Sequence, residues 1–221
     1  MVIDTLIRSK RRTIALVVER DATLTVRAPH KVSLEYIMNL VMRKHAWIEK
    51  KKQQASRQVA VPSKNYVDGE TFLYLGKEYV LRVCYGKHIE LVEETSTILF
   101  PRKFLPHATK AMTLWYKKMA REVMRERATL YVQATSWQYT SLAITSAKTR
   151  WGSCSSKGSI NFTWRLVMAP LATIDYVVVH ELAHLGEQNH SGRFWQKVER
   201  VLPHYKQEEA WLKERGKFLQ L

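Results

Sequence analysis

Three histidines and one glutamate in the stretch VVVHELAHLGEQNH, residues 177–190, have the types and spacing that suit metal chemistry. His180 and His184 are four residues apart, so on a helix they lie about 40° apart around the axis and about one turn apart along it. Their imidazole nitrogens can therefore meet at one point, where neutral imidazole binds Zn²⁺ at about 2.0–2.1 Å. Glu181 points to a neighbouring sector, from which its carboxylate can reach a water on the metal as a general base. The pattern H-E-x-x-H on an apolar helix thus predicts a zinc-dependent hydrolase site.

A catalytic zinc site needs a third protein ligand and one open position. His190 follows His184 by six residues, and a straight helix would carry it about 9 Å further along the axis. Gly186 and Asn189 can end the helix and turn the chain back, so we predict His190 as the third ligand. Glu187 is the alternative, because it would face the same metal if the helix continued.

The residues around these ligands predict that their helix is buried. It opens at Pro170 and extends to about Gly186, with apolar residues on most of its faces. Before it, the strand-like segments 141–145 and 159–164 flank the loop KTRWGSCSSKG, and we expect residues 150–154 of this loop to form a wall of the site. We predict that the strand around Asn161 is a sheet edge along which a peptide pairs, and that Asn161 and Arg193 bind the substrate.

The upstream chain, residues 1–102, reads as a β-rich region with one helix. Residues 13–28 predict two strands joined by a turn at Arg20-Asp21. A helical stripe of apolar residues follows from Leu34 to Ile48, and the charged stretch 49–65 is predicted to be a surface connection.

Short strand-like segments between residues 71 and 100 predict an antiparallel meander. A long helical pattern over 105–134 then opens residues 103–221, which we predict to be the catalytic domain. It is followed by the site helix and by two further helices, 191–202, capped by Ser191, and about 204–217. The predicted fold class is therefore α+β, with an active-site helix packed on a small sheet.

The stretch VVVHELAHLGEQNHSGRFW, together with TRWGSCSSKGSINFTWRLVMAP upstream of it, resembles the YgjP-like metallopeptidases, relatives of the SprT-like and WLM zinc proteases. The resemblance is most specific over residues 148–195. It implies a zincin-like fold, zinc as cofactor, and cleavage of peptide bonds in a protein or peptide substrate. It also implies that His180, His184 and His190 hold the zinc ion and that Glu181 is the catalytic base.

Composition bounds the partners and the compartment. The net charge of +16 permits a nucleic-acid partner on a basic surface, although the excess is spread over both halves of the chain. The two cysteines form no disulfide framework, and no apolar run reaches the roughly 18 residues of a membrane span. The N-terminus does not have the pattern of a signal peptide. We therefore expect a cytoplasmic protein without a membrane partner.

Two other functions remain open from the residues alone. The first is hydrolysis of a nucleotide phosphate by a zinc-activated water, although the chain has no phosphate-binding loop of the G-x-x-x-x-G-K type. The second is a protease that docks on nucleic acid through its basic residues, for which the SprT-like and WLM resemblance is an analogy.

Overall fold

The computed structural model describes residues 3–19, 22–56 and 63–221. Contacts between residues divide the chain into two compact units, Met1–Pro62 and Ser63–Leu221. The boundary that the sequence predicted at 102/103 falls within the second unit, and a catalytic domain that starts at residue 103 stays a prediction. Both units combine helices and strands, so the fold class is α+β, as predicted.

The first unit contains a three-stranded sheet in the order β1-β3-β2 and two helices. Its elements are β1 (Thr5–Ser9), β2 (Ala15–Val18), β3 (Leu24–Pro29), α1 (Leu34–Arg43) and α2 (His45–Ser56). The core forms because Leu24, Val26 and Ala28 alternate on one face of β3 and pack with Ile37, Val41 and Ile48 of the helices.

The predicted strand pair is confirmed as β2 and β3, which are antiparallel, whereas the turn predicted at Arg20-Asp21 lies outside the described residues. β1 was missed, because three of its five residues are exposed and show no alternation. The predicted single helix is divided at Lys44, and α2 continues to Ser56. The surface connection predicted at 49–65 is therefore wrong over its first residues, and 57–62 lie outside the described residues.

The second unit begins with a four-stranded sheet in the order β4-β5-β7-β6. Its strands are β4 (Thr71–Tyr74), β5 (Lys77–Cys84), β6 (Glu90–Val92) and β7 (Thr97–Pro101). The predicted strands are confirmed, but the predicted antiparallel meander is wrong, because β5 and β7 are parallel. The hairpin of β6 and β7 adds to β5 through its second strand, an arrangement that alternation along the chain does not specify.

The rest of the second unit is mainly helical around a small sheet. Its elements are α3 (Ala108–Ala134), β8 (Ser141–Thr145), β9 (Gly152–Cys154), β10 (Ser159–Thr163), α4 (Leu171–Ala183), α5 (Gly192–Val201) and α6 (Tyr205–Arg215). The sheet order is β8-β10-β9. The prediction that the strand of Asn161 is a sheet edge is wrong, because β9 pairs with β10 on the side away from β8 and makes β10 the central strand.

Helix α4 is held in the core by polar contacts as well as by apolar packing. Asp175 is buried, and its two carboxylate oxygens accept hydrogen bonds from Arg127 of α3 at 2.5 and 2.8 Å. Thr173 donates a hydrogen bond of 2.6 Å to Glu208 of α6. These bonds satisfy polar groups that would otherwise be costly to bury, and they fix the helix between α3 and α6.

Among the described residues, no helix combines the length and the apolar character that a membrane span requires.

Candidate metal centre

The structure brings together the imidazole rings of His180, His184 and His190. One potential ligand atom from each ring lies within 4.8 Å of those of the other two. His180 lies in the last turn of α4. His184 is the C-cap residue, directly after the last helical residue, Ala183. The chain then turns before α5, which starts after Ser191, whose hydroxyl accepts from the Phe194 backbone amide at 3.4 Å. This early helix end returns His190 to the other two rings, as the turn residues predicted.

The hydrogen bond of one ring and the protonation states of the other two suit metal binding. The Nδ1 atom of His184 donates to the carbonyl oxygen of Glu187 at 2.9 Å, because a carbonyl can only accept, and this leaves Nε2 as the atom that could bind a metal. Burial, and then the charges of His184 and His190, lower the pKa of His180 to about 3. Burial, followed by His184, also lowers the pKa of His190. Both imidazoles are therefore neutral at pH 7.

The donor set is compatible with a shared metal ion. The Nε2 atoms of His180 and His190 lie 3.0 Å apart. A tetrahedral ion with bonds of about 2.0–2.1 Å holds neighbouring nitrogens about 3.3 Å apart, close to this spacing. Among the described residues, the buried Nδ1 atom of His180 has no hydrogen-bond partner, so packing helps to orient this ring.

Aromatic residues supply that packing. The fully buried ring of Phe194 contacts all three imidazoles, with centroid distances of 4.9, 4.5 and 4.8 Å to His180, His184 and His190. Trp195 stacks on His190 at 5.7 Å and 25°, and Tyr205 stacks on Trp195 at 5.2 Å and 14°. The contact of Phe194 with the imidazoles was not predicted from the sequence. Its position, four residues after His190 at the start of α5, could have indicated that contact.

Glu187, the alternative third ligand, is engaged elsewhere. Its carboxylate pairs with Lys197 at 3.5 Å, and its backbone carbonyl accepts from His184. His190, and not Glu187, joins His180 and His184 in the group of potential ligands that the structure brings together.

The Glu181 carboxylate is buried beside the histidines. It is 6% exposed and lines a pocket together with His180. Burial raises the pKa of Glu181 to about 7, and the positive charge of Arg150 opposes that rise. The predicted wall is confirmed, because Arg150, Trp151 and Gly152 line the same pocket.

The bare backbone of Gly152 in β9 makes room for this carboxylate. A Cβ atom at Gly152 would lie 2.5 Å from Oε1, 2.6 Å from Cγ and 2.7 Å from Cδ of Glu181. These distances are far shorter than van der Waals contact, so a larger residue would have to displace the Glu181 side chain.

We expect Gly152→Ala to lower kcat by about 10- to 100-fold, because a carboxylate moved by about 1 Å no longer meets the reacting groups. Metal content should stay unchanged, since the substitution touches Glu181 and not the imidazoles. Metal analysis and steady-state kinetics check this. Gly192→Ala is the matched control, because its Cβ would meet nothing within 4 Å. Equal losses in both variants would contradict the role of Gly152.

The two predicted substrate-binding residues, Asn161 and Arg193, are not members of the three-histidine group. The side-chain amide of Asn161 donates a hydrogen bond of 3.4 Å to the Ser153 hydroxyl on β9. Arg193 lies exposed in the first turn of α5. Their roles toward substrate stay predictions.

The α+β fold, with H-E-x-x-H at the end of a buried helix, defines a metallopeptidase-like class of protein. The family described as YgjP-like, metallopeptidase domain, matches residues 12–215, so the chain belongs to this family. It is accordingly a metallopeptidase, and the family predicted from the sequence is confirmed.

One solved structure with a detectable likeness is the metallopeptidase zymogen abylysin of Pyrococcus abyssi. It is 23% identical, covers 46% of this chain and 96% of its own length, and has a TM-score of 0.36. That likeness is too weak to bear on function. The curated proteins contain no match to the chain.

Proposed function

We propose that this metallopeptidase is zinc-dependent, that His180, His184 and His190 hold the ion, and that Glu181 is the general base. The observation that carries the proposal is the grouping of the imidazoles of His180, His184 and His190 at the end of α4. Three imidazole donors with an open fourth position are a typical set for catalytic zinc. The family supports the use of a divalent metal, and the all-nitrogen donor set favours zinc over Mg²⁺ or Ca²⁺, which prefer oxygen.

The chemistry that zinc supplies when bound is Lewis acidity, which lowers the pKa of a water toward about 7 and polarises a carbonyl. The residues of the chain provide the proton transfers. Glu181 follows His180 directly on the helix and lines the same pocket, which supports the proposal that its carboxylate takes a proton from the attacking water. It then delivers that proton to the leaving nitrogen of the cleaved peptide bond.

Partial burial of the site supports the proposed proton transfer by Glu181. Phe194 and Trp195 exclude water from one side of the imidazoles, and β9 covers the Glu181 carboxylate through Gly152. In such an environment electrostatic interactions are stronger than in bulk water, and the side chains are held in one arrangement before substrate arrives.

The proposal is tested by removing and returning the metal. Protein dialysed against a chelator is expected to lose cleavage of an unstructured substrate such as casein, and about one Zn²⁺ per chain should restore it. Mg²⁺ should not restore it, because the site offers no oxygen ligands among the three converging donors. Full activity in protein from which metal analysis detects no metal would contradict the proposal.

The substrate is proposed to be a protein or peptide, and a cytoplasmic location remains a prediction. The alternatives of a nucleotide phosphatase and of a protease that docks on nucleic acid gain no support from the family match.

A further inference from the structure

A pocket of about 330 Å³ adjoins Glu181 and His180 on the side facing β9 and α6. We call it the α6 pocket. Its other walls are formed by four largely apolar side chains, one ion pair, the backbone of β9 and one arginine, namely Trp151, Tyr176, Val177, Leu212, Glu209–Lys213, Gly152 and Arg150. No sequence pattern assigned Glu209, Leu212 or Lys213 to the site.

We propose that the α6 pocket receives one large apolar side chain of the substrate, of the size of leucine or phenylalanine, next to the peptide bond that is cleaved. The inference rests on the proposed function, because the pocket is assigned to substrate through its shared walls with Glu181 and His180. It adds the class of side chain that the enzyme selects.

Much of the wall of the α6 pocket is apolar. Tyr176, Val177 and Leu212 are buried, and together with the Trp151 indole they present rings and branched carbon chains to the pocket. An apolar side chain that enters leaves water and contacts these groups. A charged side chain would lose hydration against these apolar groups.

The two charged residues of α6 that line the pocket pair with each other. Lys213 Nζ and Glu209 Oε1 lie 2.8 Å apart, at positions four residues apart on the same helix. The pair neutralises itself, so α6 offers no unpaired charge to a substrate. Arg150 also lines the pocket, as does the carboxylate of Glu181, which has the opposite charge.

The indole of Trp151, the largest side chain in the pocket wall, packs against the backbone that follows α6. A Cβ atom at Gly216 would lie 2.6 Å from Cζ2 of Trp151, so the bare backbone after α6 accepts the edge of the indole. Trp151 is thereby held against the C-terminal segment as a rigid wall. The volume lies at the lower end for ligand pockets and suits a single side chain rather than an extended ligand.

The experiment uses blocked alanine-rich peptides that differ at one position, which is Phe, Leu, Ala, Lys or Glu. Zinc-loaded wild-type protein is expected to cleave beside Phe or Leu with a kcat/KM at least about 10-fold higher than beside Ala, Lys or Glu. Mass spectrometry locates the bond. A second readout needs no turnover: Glu181→Gln protein should bind the Phe and Leu peptides more tightly, by fluorescence anisotropy of labelled peptides.

Two variants test the walls. Leu212→Trp fills the pocket and should reverse the preference toward Ala. Lys213→Glu leaves two carboxylates on α6, so cleavage beside Lys should rise about 10-fold or more. The side chain of Lys213 is 71% exposed, so the fold should tolerate this change. Arg215→Glu changes the net charge equally at an exposed position outside the pocket and should leave the profile unchanged.

The outcomes separate the two proposals. Equal cleavage of all peptides, a preference for Glu, or no response to Lys213→Glu would overturn the pocket assignment and leave zinc peptidase function intact. If zinc-loaded protein cleaved no peptide, the proposed function would be in error, and the binding measurement would still decide whether the pocket takes an apolar side chain.

Discussion

Glu181→Gln is expected to lower kcat by about 100- to 10,000-fold, the range that a positioned general base contributes. The amide has nearly the shape of the carboxylate, so Gly152 still accommodates it, but it cannot take a proton from water. The zinc content should remain at the wild-type value, because the substitution removes none of the three imidazoles. Steady-state kinetics with casein or a peptide, together with metal analysis, measure both quantities.

The matched control is Glu199→Gln, the same change on the exposed side of α5. It should keep both activity and metal. A Glu181→Gln protein with activity within about threefold of wild type would show that another group moves the proton, and the general-base assignment would be lost.

His184→Ala is expected to weaken zinc binding by more than about 100-fold, and peptide cleavage should disappear with the metal. The magnitude follows because loss of a residue that merely orients a ligand already costs about 10- to 100-fold in affinity, and here the ligand itself is removed. Competition with a chromogenic chelator measures the affinity, and circular dichroism shows that the α-helical content is kept.

His45→Ala removes an exposed histidine at the start of α2 and controls for the loss of an imidazole as such. It should bind zinc as wild type does. If His184→Ala retained zinc with wild-type affinity, the three-histidine site would have to be abandoned.

The grouping of the three histidines was predictable because it depends on local sequence. The spacing of His180 and His184 depends only on helix geometry, and Gly186 and Asn189 supplied the stop signal that returns His190. Burial of the helix followed from the apolar residues before His180. For the same reason the cap at Ser191 was correctly predicted, since capping depends on adjacent residues.

The features that the sequence did not predict depend on residues far apart in the chain. β9 has only three residues, Gly152–Cys154, and becomes a strand through pairing with β10, so no local pattern indicated it. That pairing is also why the strand of Asn161 is central rather than an edge. The parallel pairing of β5 with β7 is a choice of neighbour that alternating residues leave open.

The α6 pocket was missed for a related reason. α6 is predicted as a helix, but Glu209, Leu212 and Lys213 have no spacing that refers to the histidines. They reach the site because α4 and α6 pack together, which the hydrogen bond from Thr173 to Glu208 supports. Likewise Gly152 and Gly216 have ordinary sequence contexts, and only the structure shows that Glu181 and Trp151 occupy the space beside them.

The central claim is that three imidazoles share one zinc ion, and X-ray absorption at the zinc edge of the full-length protein tests it most directly. The account predicts a first shell with about three imidazole nitrogens at about 2.0–2.1 Å, a further light-atom ligand, and the outer-shell scattering of histidine rings. A sulfur shell near about 2.3 Å, or a spectrum without histidine scattering, would contradict it.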